Sequence, residues 1–105
     1  MAGQVERVAL LQPLANTDTS AFLTSAQYLL SVIATNTGNV TSDITVWVTD
    51  GTDTAYIVYN LTVPIHDTYE TFRFAMAPGD ELLVKSTTAD VSFLVQGIDQ
   101  TPVGV

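Results

Sequence analysis

Cysteine is absent from the 105 residues, histidine and tryptophan occur once each, and only three residues are basic. Without cysteine there is no disulfide staple, no thiolate zinc site and no cysteine nucleophile. A disulfide-free chain of this length also suits folding in a reducing cytoplasm. With Arg7, Arg73 and Lys85 scattered among eleven acidic residues, the formal charge is −8. Binding to nucleic acid needs a basic stripe that displaces counterions from phosphates, and these three residues cannot form one. An anionic membrane surface is disfavoured for the same reason. No apolar run approaches the ~18 residues of a membrane span. The first eleven residues lack the basic segment and apolar stretch of a signal peptide. Without such a leader, the sequons Asn39-Val40-Thr41 and Asn60-Leu61-Thr62 read as chance in a threonine-rich chain.

Charged residues make up 13% of the chain, about half the usual quarter, while 47% is hydrophobic. The surface is therefore polar through Thr, Ser, Asn and Gln rather than through charge. At this length one modest core can form, and there is room for one domain. We expect that domain to span residues 1–105, with an N-terminal arm at 1–4 and an extended tail at 100–105.

What the chain has in quantity is short β-branched and aromatic runs, broken every 8–12 residues or so by Gly, Asn, Asp and Pro. Strands are expected at 5–11, 21–24 and 28–35, the last apolar on both faces and therefore central. A helix over 24–34 is the weaker reading, because Val32, Ile33 and Thr35 favour strand and there is no polar stripe of helical period. Residues 43–49 (DITVWVT) alternate most cleanly, with Ile44, Val46 and Val48 on one face and Thr45, Trp47 and Thr49 on the other. Asp50-Gly51-Thr52-Asp53 makes a hairpin loop that returns through 54–63. Residues 68–74 (TYETFRF) read as one strand, with Tyr69, Thr71 and Arg73 opposite Glu70, Phe72 and Phe74. Ala77-Pro78-Gly79-Asp80 has the pattern of a type II turn. Strands at 81–86 and 91–98 complete about eight, which predicts an all-β antiparallel sandwich, jelly-roll or immunoglobulin-like, with a closed barrel as the alternative.

Catalytic patterns are sparse. His66 lies between Ile65 and Asp67, but no serine sits in a G-x-S-x-G elbow, and a turn explains the histidine equally well. Asp50 with Asp53, and Asp80 with Glu81, could pair as glycosidase carboxylates, yet the loops are too short to build a sugar cleft. Both pairs also carry ordinary turn chemistry. The oxygens of residues 49–54 make Asp50 and Asp53 the best Ca²⁺ candidates, although the EF-hand order and its bidentate Glu are missing. We therefore expect no enzyme activity, no cofactor and no metal centre. The aromatics Tyr28, Trp47, Tyr56, Tyr59, Tyr69, Phe72 and Phe74 could stack ligands if exposed. Trp47 either faces outward among threonines as a contact anchor or lies under the N-terminal segment or a loop.

A resemblance adds a setting. The phrases Leu14-Ala15-Asn16-Thr17-Asp18-Thr19, Val32-Ile33-Ala34-Thr35-Asn36-Thr37-Gly38, Ala55-Tyr56-Ile57-Val58-Tyr59-Asn60-Leu61, Ala77-Pro78-Gly79-Asp80 and Thr87-Thr88-Ala89-Asp90-Val91-Ser92-Phe93 make residues 16–99 resemble small β-rich structural proteins of tailed bacteriophages. Thr24-Ser25-Ala26-Gln27 stands where related phrases carry a Pro-Ala-Gly turn. The resemblance implies a virion protein made in the host bacterial cytoplasm. It would be a head decoration (cement) protein binding the major capsid protein, or a neck, tail or fibre subunit bound to another virion protein. Such a protein is expected to be a homo-oligomer, a trimer by this reading. The expected contact residues are Met1, Ala2 and Gly3, Trp47, and Pro102, Val103 and Val105, together with an edge strand. From a different class, a carbohydrate-binding module using Trp47 and the tyrosines is the rival.

Overall fold

Alternating apolar side chains and short Asn, Asp and Gly turns lay down nine strands in residues 4–100, the part described by the computed structural model. They are β1 (Glu6–Leu11), β2 (Thr19–Leu23), β3 (Tyr28–Asn36), β4 (Ser42–Thr49), β5 (Thr54–Val63), β6 (Thr68–Glu70), β7 (Phe74–Met76), β8 (Glu81–Ser86) and β9 (Val91–Asp99). The expected contact residues Met1, Ala2, Gly3, Pro102, Val103 and Val105 lie outside the described residues. The expected tail lies outside the described residues except for Gln100, whose amide donates to Gln27 O at 2.7 Å, next to the β3–β9 pairing.

All pairings are antiparallel. One sheet runs β1-β9-β3-β6, with β7 also paired to β3, and the other runs β2-β8-β4-β5. Apart from β4–β5 and the pair β6 and β7, consecutive strands lie in opposite sheets. This is the doubled-up path of a jelly roll. It excludes the immunoglobulin-like alternative, which keeps its first two strands together in one sheet. The β4–β5 hairpin forms as its Asp-Gly loop demands, with Gly51 at φ 95°. Gly79 at φ 94° and the bond from Asp80 N to Ala77 O, 3.0 Å, make the expected type II turn.

Between the sheets lies one apolar layer. β3 supplies Leu30, Val32 and Ala34, β9 supplies Val91, Phe93 and Val95, β4 supplies Ile44 and Val46, and β8 supplies Leu82 and Val84, all fully buried. Each set alternates with residues that face away, as a pleated strand requires. Gly97 completes the inward series on β9, and a Cβ there would come within 2.1 Å of Leu29 O. Only glycine lets the two central strands of this sheet approach so closely. At one end of the sandwich, fully buried Asn36 takes the amide of Gly38 on its Oδ1, 2.9 Å. Its Nδ2 donates to Val40 O at 2.8 Å and to Val63 O at 3.2 Å, joining the two sheets.

Two expected strands are corrected. Residues 21–24 shift to Thr19–Leu23, because Thr24 turns the chain instead. Its Oγ1 donates to Ala26 O at 2.7 Å and accepts from Ala26 N at 3.0 Å. Residues 68–74 do not form one strand. β6 ends at Glu70, and the Thr71 hydroxyl takes the place of a backbone carbonyl, accepting from Val32 N at 2.9 Å while Thr71 N donates to Val32 O. The ladder survives, but Phe72 is thrown outward, 90% exposed, and the chain rejoins β3 as β7. Tyr69 and Phe74 thus both pack on the core, although their odd spacing had set them on opposite faces.

Candidate functional site

A two-layer sandwich leaves each sheet with an outer face, and the contents of those faces differ. On the four-stranded sheet, Trp47 pairs across to Leu83 on β8 and to Tyr56 on β5. Trp47 is half-buried and takes no part in the core. Its ring lies 6.2 Å from that of Tyr56, tilted by 45°, and Tyr56 meets Tyr59 edge-on at 4.9 Å. Asp18, Thr45, Asn60 and Lys85 join these three rings around a shallow basin of about 250 Å³.

Strict alternation along β5 would not build this group. Tyr56 and Tyr59 are three residues apart, so a regular strand would send them to opposite faces. The register slips twice instead: Trp47 faces Tyr56, yet Val46 faces Val58, and Ile44 faces Leu61. The extra residue at Ile57 turns Val58 into the core and Tyr59 out to solvent. A second bulge at Tyr59 and Asn60, opposite Thr45, restores the original phase. Asn60 takes a left-handed φ of 48° there and is pinned to Thr45, its amide donating to Thr45 Oγ1 at 3.2 Å and its Oδ1 accepting from the same hydroxyl at 3.3 Å.

On the five-stranded sheet the outer face is aliphatic. Leu10, Leu94 and Ile33 stand in one cross-strand row, and Leu29 and Ile98 in another. Leu10 is 58% exposed, the other four are half-buried, and none packs on the core. Between the rows Gln96 Nε2 reaches Ser31 Oγ at 3.4 Å. Beside them a groove of about 100 Å³ is lined by Val5, Leu29, Glu70, Arg73, Gln96 and Ile98, among others. This face was missed as a candidate. The signal was present in residues 28–35: a strand apolar on both faces is covered twice in a three-layer fold, but in a sandwich one side remains open.

Two of the acidic candidates, Asp50 and Asp80, bond the backbone of their own turns. Asp50 Oδ1 accepts from Thr52 N at 2.8 Å and Asp53 N at 2.7 Å, and these amide bonds hold its carboxyl below the ordinary aspartate value. Asp80 Oδ2 accepts from Ala77 N at 2.9 Å. Asp50, Asp53 and Asp80 border one cleft, yet among the described residues no group of three acidic, His or Cys side chains is arranged to hold a metal ion. His66 is exposed at a tight turn with φ 58°. Tyr28 packs edge-on against Phe22 at 5.2 Å; burial, and secondarily the charges of Asp99 and Glu6, push its phenol above the usual value.

No protein-family model and no curated protein matches the chain. Among solved structures, a pentameric capsid protein isolated from metagenomic phage sequences is similar over 90% of this chain, at 18% identity and a TM-score of 0.51. A second pentameric capsid protein from metagenomic phage sequences gives 22% identity and a TM-score of 0.46, again over 90% of this chain. The chain spans 63% and 58% of the lengths of those two proteins. At 18% identity the likeness to the first of these is one of fold.

Proposed function

We propose that the protein is a non-enzymatic structural component of a phage virion, a decoration or cement subunit that binds the assembled head shell. The observation that carries this reading is the jelly roll shared over nine-tenths of the chain with a protein described as a pentameric phage capsid protein. The aliphatic outer face of the five-stranded sheet supports it, since rows of half-buried leucine and isoleucine flanked by exposed Leu10, none of them packed on the core, suit contact with another protein. The formal charge of −8 keeps unassembled copies soluble and apart until a specific surface is met. Repeating a modest contact at every symmetry-related position stabilises a shell by mass action. The protein works as a homo-oligomer, with five copies rather than the expected three as the first stoichiometry to test, because the neighbour of this fold is pentameric.

The test is a reconstruction of the particle that carries this protein. The expected result is jelly-roll density repeated on the outside of the head. Density confined to the neck, tail or fibre would replace the decoration role with that of an adaptor, and absence of the protein from purified particles would end the virion reading.

A further inference from the structure

We propose that the basin on the outer face of the four-stranded sheet is a saccharide-binding site for a neutral hexose or N-acetylhexosamine unit. This goes beyond the virion role and does not depend on it. Three rings gather where strand periodicity would have placed two: Trp47, Tyr56 and Tyr59 share one basin because β5 spends a bulge at Ile57 to turn Tyr59 outward. Asn60 holds the second bulge in left-handed backbone, a conformation that asparagine adopts more readily than other non-glycine residues. Bulges that re-aim a side chain recur beside binding sites. Tyr59 is 66% and Tyr56 56% exposed, so the packing of the core does not account for the arrangement.

The chemistry around the rings selects the ligand class. A pyranose has an apolar C–H face, which stacks on an aromatic ring, and an edge of hydroxyls, which need donors and acceptors. Trp47 and the two tyrosines supply ring faces and phenol groups. The Asp18 carboxylate can accept and the Lys85 ammonium can donate. Asn60 gives its Oδ1 to Thr45, leaving its Nδ2 to donate. At about 250 Å³ the basin falls just below the range filled by drug-sized ligands and has room for roughly one or two sugar rings. The charge of −8 disfavours polyanionic glycans, which leaves neutral ones. A proline-rich peptide also packs on aromatic rings, but it presents few groups for a carboxylate, an ammonium and an amide set close together.

The single tryptophan lies in the basin, so intrinsic fluorescence reports on it directly. The intact chain is titrated with short gluco-, manno- and N-acetylglucosamine oligosaccharides to about 10 mM. A saturable change of emission is expected with at least one series, with a Kd of about 1 mM or tighter. Tyr59→Ala should weaken that binding about tenfold. Should that variant melt early, Tyr59→Leu, which keeps bulk and removes the ring, must show the same loss with an unchanged far-ultraviolet dichroism spectrum. Three results overturn the proposal: no saturable response to any neutral saccharide, a response undiminished in the Tyr56→Ala, Tyr59→Ala double variant, or a saturable response only to proline-rich peptide. None of these outcomes bears on incorporation into particles, which is read separately.

Discussion

The two outer faces of this sandwich are built from the same kind of strand and carry opposite chemistry. On the five-stranded sheet, Leu94, Ile33, Leu29 and Ile98 stand in regular cross-strand rows whose register follows unbroken alternation along β3 and β9, and Leu10 joins them from β1 after a slip between Arg7 and Ala9. On the four-stranded sheet, Trp47, Tyr56 and Tyr59 are brought together by a break in alternation and are ringed by polar groups. Aliphatic rows are non-directional and complement another flat, apolar surface. Aromatic rings beside a carboxylate, an ammonium and an amide are directional and suit a ligand that has both faces and hydroxyls. One domain can thus present an assembly surface and a ligand surface, with the core insulating each from the other.

The largest effect should come from breaking the sheet that carries the aliphatic rows. Gly97→Ala places a Cβ against Leu29 O, so β3 and β9 must part. A loss of about 3 kcal/mol in urea unfolding is expected, with the aliphatic rows disordered along with it. Next, Leu94→Glu charges the centre of the aliphatic face without entering the core. It should weaken self-association or particle binding about 100-fold, near 2.7 kcal/mol, in sedimentation equilibrium. Tyr56→Ser on the other face should leave association unchanged. Equal effects from the two variants would erase the distinction between the faces.

Third, Asn36→Ala removes the amide that ties β3 to Val63 O of the opposite sheet and leaves Gly38 N without its acceptor. About 2 kcal/mol should be lost in the same unfolding assay, and both faces should loosen together. The smallest effect concerns Asp50 at the rim of the four-stranded sheet. Its folded-state pKa is lowered by the Asp53 and Thr52 amides, so its contribution to stability is present above the ordinary aspartate value of about 4. That contribution is lost as pH falls through the lowered folded value. Amide resonances of Thr52 and Asp53 should shift in that acid range and be insensitive to pH between 6 and 8, roughly.

Most of the strand layout was legible because it is local. The hairpin of β4 and β5 follows from DITVWVT, an Asp-Gly loop and a second β-rich run. Gly79 and Pro78 name their own turn. The split of residues 68–74 was not legible, because Thr71 leaves the alternation only when Val32 is there to donate to its hydroxyl. Nor was the aromatic basin: the outward position of Tyr59 depends on a register slip against β4 at Ile57, which nothing local to the run from Tyr56 to Leu61 announces. The turn bonds of Asp50 are a local matter, since its side chain takes the amides two and three residues ahead.

By itself the sequence determined an all-β, disulfide-free, acidic domain, the faces of β4 and the chemistry of its turns. These follow from side-chain period, composition and φ preferences, which act over a few residues. Tertiary structure decided the jelly-roll order, the broken strand beside β3, the open aliphatic face and the grouping of Trp47, Tyr56 and Tyr59. Each of those depends on which distant strand supplies the neighbouring hydrogen bonds, and hydrogen-bond register between strands far apart in the chain is set only when the sheets close over a common core.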